Sequence, residues 1–299
     1  MPEDSLIAVT GATGAVGRRL TARLAEAGAR QRRVVRDPAR APRLPGTELR
    51  RASGYAAGTE MRAALEGAGT LFLMPASEAP DRVDQHKTAV DAAVAAGVRR
   101  IVYLSVVRAG ADATFTLAHD HWATEEHVRA TGLEWTFLRM NLYMDFIPAI
   151  VLPEGVIRGP AGDGRLAAVL RDDVAAAAAA VLTSERHGGR TYDLTGPAAF
   201  SLAEAAELMS RFTGKAIRFE DETDEEAFAS RAAFGAADWE VRGWVSSYQA
   251  IRDGSLQDVS PHVRELTGRA PVALADYLQS HPEALDHVSS RLDVASPST

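Results

Sequence analysis

The stretch from Val9 to Leu20, VTGATGAVGRRL, restricts this chain more than any other. A short apolar run ends, glycines follow at Gly11, Gly14 and Gly17, and an apolar pattern at helical spacing begins with Val16, Leu20 and Leu24. Gly11 permits a tight turn. Gly14 lets backbone N–H groups approach a pyrophosphate with no Cβ in the way. Gly17 lets the helix pack close to the strand. The helix N-terminus then faces an anion with free N–H groups and the positive end of its dipole. A glycine triplet alone is a weak signal; a strand before it and a helix after it make it a dinucleotide site. The positions that would touch the cofactor here are Gly11, Thr13, Gly14, Ala15, Val16 and Gly17.

The rest of the first half has the same rhythm. LIAVTG, RQRRVVR, TLFLMP, RIVYLSVV and EWTFLRM read as strands. Between them, AVGRRLTARLAEAG, RVDQHKTAVDAAVAAGV and TEEHVRATG read as helices, the second with Val83, Ala89, Val90, Ala93 and Val94 for an inner face. Such alternation predicts an α/β fold, a Rossmann-type doubly wound parallel sheet. After Tyr143 the pattern changes. PEGVIRGPAGDGR is a loop, DDVAAAAAAVLTS a helix with Asp172 or Asp173 near its positive end, and RTYDLTG a strand. From Ser201 the pattern is mainly helical, and Ser201 with Glu204 forms a capping-box signature. The expected division is a Rossmann domain over 1–150 to which 166–196 returns, a smaller, mainly helical substrate-side domain from 151–165 and 197–290, and a flexible tail over 291–299.

Composition removes several classes of function. The chain has 299 residues, 46% hydrophobic and 24% charged, enough for a sizeable core. With no cysteine it has no disulfides, thiolate metal sites or cysteine nucleophile. The net charge of −7 weighs against nucleic acid. MPEDSLIAVTGATG enters the first strand without a basic, then apolar, leader, and no run approaches the roughly 20 apolar residues of a membrane span. A cytoplasmic protein acting on a small molecule is the expectation, with a homodimer among the possible assemblies. No metal site is expected: His119 and His121 near Glu125 lack metalloprotease spacing, and no G-x-S-x-G elbow is present.

The end of the second strand selects the dinucleotide. NAD sites usually place a carboxylate there for the ribose 2′-hydroxyl, and NADP sites a cation for the 2′-phosphate. Here RRVV runs into Arg36 and then Asp37. Arg36 can clamp a phosphate through two N–H donors. Asp37 could instead take the ribose and leave Arg36 to stack on the adenine. Arg32, Arg33 and Arg40 tip the balance toward NADP(H) over NAD(H), although most of the early arginines read as solvated surface.

VTGATGAVG, VVRDPARA, VDQHKTAVDAAVAAGVRRIVYLS, LAHDHWATEEHVRATGLEWTFLR and LTGRAP together resemble the NmrA-like branch of atypical short-chain dehydrogenases/reductases. Within it the chain is most similar to NAD(P)H:quinone oxidoreductase-type proteins. The resemblance runs from about Leu6 to about His281. It implies a Rossmann domain with a smaller C-terminal domain and a substrate cleft between them. Ordinary short-chain dehydrogenases carry Tyr-x-x-x-Lys, in which the lysine lowers the tyrosine pKa and the tyrosine moves the proton. No such pair occurs here; Leu117 and His121 stand at its positions. The resemblance implies that this substitution is normal in the branch. At Gly54–Tyr55 the chain departs from the family, which commonly has Asp before an aromatic residue, so the adenine contact of that carboxylate does not carry over.

These readings assemble a site. Met74, Pro75 and Ala76 follow the strand at TLFL, Ser105 the one at RIVYL, and Asn141 and Tyr143 the one at EWTFLRM, where open parallel sheets bind ligands. His121 and Tyr143 are the candidate catalytic residues; Met74, Pro75, Ala76, Ser105, His121 and Asn141 join Arg36 and the glycine turn around the cofactor. His121 would keep the ribose contact and could donate a proton near neutral pH. The competing readings are wall packing for Met74 and Met140, a surface or capping role for His121, and aromatic packing for Tyr143. Aromatisation drives hydride transfer to a quinone, so that acceptor needs less acid catalysis than a ketone. The leading function is NAD(P)H-dependent reduction of a quinone-like or other conjugated acceptor. The alternative is a non-catalytic NADP(H) sensor.

Overall fold

A computed structural model describes residues 6–287; the tail expected over 291–299 lies outside them. In chain order the elements are β1 (Ile7–Val9), α1 (Ala15–Glu26), β2 (Gln31–Val35), β3 (Thr47–Arg51), α2 (Gly58–Leu65), β4 (Thr70–Leu73), α3 (Arg82–Ala95), β5 (Arg100–Val106), α4 (Thr116–Ala130) and β6 (Glu134–Met140). They continue as β7 (Val156–Gly159), β8 (Arg165–Leu166), α5 (Arg171–Leu182), β9 (Arg190–Leu194), β10 (Phe200–Ser201), α6 (Leu202–Thr213), β11 (Arg218–Asp221), α7 (Asp224–Arg231), α8 (Asp238–Arg252), α9 (His262–Thr267) and α10 (Leu274–Ser280). Seven strands form one parallel sheet in the order β3-β2-β1-β4-β5-β6-β9. The chain runs outward from β1 through β2 to β3, then crosses to β4 on the other side. The switch point therefore lies between β1 and β4, where such sheets bind ligands.

Strand alternation assigns the two faces. Val9, Phe72, Val102, Leu104 and Leu138 pack with Leu20 and Leu24 of α1 and Val174, Ala178 and Val181 of α5. Leu71, Leu73, Ile101, Tyr103 and Phe137 pack with Met61, Ala89, Val90 and Val128 of α2, α3 and α4. Ala92 also turns inward on α3, whereas Val94, expected on that inner face, is 42% exposed. A third cluster joins Met144, Ile147, Ile157 and Leu166 to Leu202, Met209, Ile251 and Leu278, the smaller body built on α6, α8 and α10. Two short sheets, β10-β8 and β11-β7, frame it. Ser201 accepts from the Glu204 N–H and Glu204 accepts from the Ser201 N–H, closing the capping box of α6. Val263 of α9, in a segment read from the sequence as part of the smaller body, packs instead with the α1–α5 side. The polar edge strand β3 carries one apolar residue, Leu49, so no apolar run marks it in the sequence.

A buried polar cluster fastens α3 and α4 to the sheet. His86 is fully buried. Its Nε2 accepts from the Ala76 N–H at 2.8 Å, so its Nδ1–H points to Thr124 Oγ1, also at 2.8 Å. Arg82 donates to the Ala76 carbonyl at 3.0 Å and to Asp120 at 3.2 Å. The Tyr55 hydroxyl donates to the Met74 carbonyl at 2.6 Å. The loop after β4 is thus held from three sides.

Two predictions follow from this packing. A Cβ added at Gly17 would lie 2.1 Å from the Gly11 carbonyl oxygen, a backbone atom that cannot move aside. Gly17→Ala should cost about 1–3 kcal/mol, as overpacking does, and lower the melting temperature by several degrees. Burial, then the Arg82 charge, pushes the His86 pKa down to about 3. The unfolded chain takes up a proton near pH 6.5 that the folded chain refuses, so stability present above pH 6.5 is lost as pH falls toward 3. Urea unfolding between pH 6.5 and 4.5 should show this side chain contributing a decline of about 1 kcal/mol per pH unit, removed in His86→Asn.

Candidate functional site

The ends of three adjacent strands, β2, β1 and β4, carry Arg36, the glycine turn and Met74–Ala76. Gly11 has φ +59°, and a Cβ there would fall 2.6 Å from Met74 Cγ. Glycine is therefore required twice over, by the left-handed backbone and by the methionine side chain. The Gly14 N–H donates to the Gly11 carbonyl at 3.0 Å. The contact that demands Gly17 is with the backbone of Gly11 and Ala12 in the turn, not with the strand, which corrects the sequence reading. Thr13, Gly14 and Ala15 are exposed at the start of α1, and Val16 is buried beneath them. The first turn of α1 has neither a side-chain cap nor an acidic residue. Its N–H groups and dipole are open to an anion, so the residues present fit a pyrophosphate.

Arg36 is exposed and forms no hydrogen bond or ion pair among the described residues. The Asp37 carboxylate instead accepts from the Ala39 N–H at 3.0 Å, capping the turn at Pro38–Arg40. Of the two candidates, Arg36 is the one left open. The supporting arginine cluster needs correction. Arg32 is buried, donating to Glu48 at 2.9 Å and to the carbonyls of Ala64 and Glu66, where α2 ends. Arg33 is buried on the opposite face of the strand. Both lie inside β2 rather than at its carboxyl end, one on each face of the sheet; Arg40 remains exposed.

Met74 packs against the turn as a wall, and its N–H donates to Thr10 Oγ1 at 2.9 Å. Pro75 and Ala76 are half-buried beside it. Ser105 lies inside β5, not after it; it is fully buried and donates to Glu125 Oε1 at 2.6 Å. Glu125 also accepts from Arg139, at 2.9 and 2.6 Å. Asn141 is buried, donating to the Leu256 carbonyl at 2.9 Å and accepting from the Leu142 N–H at 2.7 Å.

The two candidate catalytic residues are not brought together. His121 is buried under α4 on the α3 side of the sheet. Arg82 Nη2 donates to its Nε2 at 3.1 Å, so the ring proton sits on Nδ1, 2.8 Å from the Tyr103 hydroxyl. Burial, then the charge of Arg82, holds its pKa well below the ordinary value. A neutral imidazole with both nitrogens engaged cannot donate a proton near pH 7, which corrects that expectation; it is neither a surface nor a capping histidine. Tyr143 packs with the α1–α5 cluster on the other face, its ring 4.1 Å beneath the Arg171 guanidinium. Burial raises its pKa, so the phenol stays protonated. Arg82 and Tyr103 escaped the sequence reading, which took His86 and Lys87 to lie on a helix closing over the cleft and weighed Glu125 only as a neighbour of His119 and His121. Arg82 and His86, four apart on the inner face of α3, were the available signal.

Residues 3–237 match the NmrA-like family. Over 278 residues the chain is 32% identical to quinone oxidoreductase 2 of Escherichia coli, covering 91% of this chain and 96% of that one. Over 286 residues it is 36% identical to the (4-alkanoyl-5-oxo-2,5-dihydrofuran-3-yl)methyl phosphate reductase of Streptomyces griseus, covering 93% and 99%. The fold superposes with a TM-score of 0.85 on the crystal structure of an NADPH-dependent quinone oxidoreductase from Escherichia coli complexed with NADPH, at 32% identity, covering 92% of this chain and 99% of that one. A family match across most of the chain, a parallel sheet with its glycine turn at the switch point, and near-full-length relatives agree: this chain belongs to the NmrA-like family.

Proposed function

We propose that this NAD(P)H-dependent oxidoreductase reduces a quinone-like or other conjugated small-molecule acceptor, with Arg36 selecting NADP(H). The observation that carries the proposal is the pairing of an uncapped α1 N-terminus with an unpartnered Arg36 one strand away. The α1 N–H groups would hold the pyrophosphate, and the Arg36 guanidinium the 2′-phosphate. Met74 and Ala76 would wall the adenosine side. When bound, the reduced dinucleotide supplies a hydride.

The acceptor class follows from what the chain lacks. A ketone needs an acid to protonate its developing alkoxide. Leu117 is apolar and His121 is a neutral, fully engaged imidazole, so neither provides one. A quinone gains aromaticity on accepting hydride and can take its proton from water. The relatives' names fit this: one is a quinone oxidoreductase, and the dihydrofuran named in the other has a carbonyl conjugated with its ring double bond. His121 would act by position, holding Tyr103 and Arg82. Tyr143, with its phenol protonated, would orient the acceptor or the nicotinamide.

Arg36→Ala should weaken NADPH binding about tenfold or more and change NADH binding little, read by fluorescence titration. Equal losses for both would overturn the 2′-phosphate assignment. With NADPH and 1,4-benzoquinone, kcat/KM should show no inflection near pH 6.5, because His121 does not titrate there. An inflection that disappears in His121→Asn would replace solvent by this histidine as the proton source. Tight NADPH binding without turnover of any quinone or enone would favour the sensor.

A further inference from the structure

We infer that Gly243 of α8 is a specificity-determining residue: over Leu117 it leaves a space one methyl group deep that receives the far edge of a flat, fused-ring acceptor. The inference rests on the reading of the chain as a reductase of conjugated acceptors. Among the described residues, Gly17 and Gly243 are the glycines inside helices, Gly58 standing at the start of one. Glycine is less stable there than alanine, because it loses more backbone freedom on folding. Gly17 is compelled by the backbone that a Cβ would strike. Gly243 is not. Its φ lies outside the left-handed region, and a Cβ on it would meet only Leu117 Cγ at 3.9 Å and Thr116 Oγ1 at 4.0 Å, both ordinary contact distances. Alanine would fit and would stabilise the helix, so neither packing nor backbone geometry accounts for the glycine.

The space has a fixed place. Ala118 of α4 packs with Val106, the last residue of β5, so the first turn of α4 stands at the carboxyl end of the sheet, where ligands bind. Leu117, beside Ala118, occupies the position of the absent tyrosine and is only partly buried. α8 is pinned across this turn. The Ser246 hydroxyl accepts from the Thr116 N–H at 3.1 Å and donates to the Gly243 carbonyl at 3.0 Å. With that proton committed, the Thr116 hydroxyl donates to Ser246 Oγ at 3.2 Å. Neither residue facing the space therefore offers a free donor. An apolar ring edge fits such a place, and a polar substituent would be left without a partner. A second fused ring extends a flat acceptor toward α8 and leaves its reacting end in place; a single ring lacks that edge.

The test compares duroquinone, a single ring, with 2,3-dimethyl-1,4-naphthoquinone, two fused rings; both are fully substituted on the quinone ring and so do not add to amines. Ligand-observed NMR titration of the full chain saturated with NADP+ gives the ratio of their dissociation constants without turnover. Steady-state kcat/KM with NADPH gives the corresponding ratio in turnover. Gly243→Ala should raise the melting temperature by about 1–3 °C and lower the preference for the two-ring quinone about fivefold. Gly243→Val should lower it about tenfold or more, and Leu117→Ala added to Gly243→Val should restore most of it. An unchanged ratio in Gly243→Ala, or no binding of the two-ring quinone to the wild-type chain, would overturn the role of Gly243; an unchanged ratio with turnover intact leaves the reduction standing. Binding that depends on Gly243 without turnover of either quinone would instead overturn the reductase reading and keep the space as a ring site.

Discussion

The seating of α1 on the glycine turn is the contact on which the cofactor end of this protein depends. With Gly17 against the Gly11 carbonyl, the helix axis is brought down onto the turn, and the open N–H groups of its first turn stand at the switch point of the sheet. Any side chain at Gly17 would lift the helix and move those donors. The alanines of α5 extend the same logic, since small side chains at Ala175, Ala177 and Ala178 let α5 pack beside α1 over the strands. One close approach thus sets the position of the anion site and of the helical layer around it.

On the opposite face, polar groups do the fastening. Arg82, His86, His121, Tyr103 and Thr124 bond to one another and to the loop after β4, so the wall of the dinucleotide crevice is held by a network closed to solvent. Such a network specifies one arrangement because each member has a partner. The same closure removes His121 from proton transfer. A chain with its histidine used in this way suits an acceptor that makes little demand for an acid.

Much of the site was legible before the fold was known. The glycine spacing, the strand before it and Arg36 are local features, and local backbone geometry depends on neighbours in sequence. Ser105, His121 and Tyr143 were not legible in the same sense. Their positions after strands or on a helix were visible, but the direction of each side chain depends on register and on what packs above it. Ser105 meets Glu125 because β5 lies against α4. His121 is neutral because Arg82, from a different helix, donates to it.

The sequence by itself determined the alternation of strand and helix, the glycine turn and the absence of a tyrosine–lysine pair, since each is a matter of residue type and spacing along one stretch of chain. The tertiary structure alone decided which of Arg36 and Asp37 is left open, on which faces of the sheet His121 and Tyr143 lie, and which polar atoms lack partners. These depend on groups distant in sequence meeting at hydrogen-bonding range, where burial and neighbouring charge set protonation and orientation.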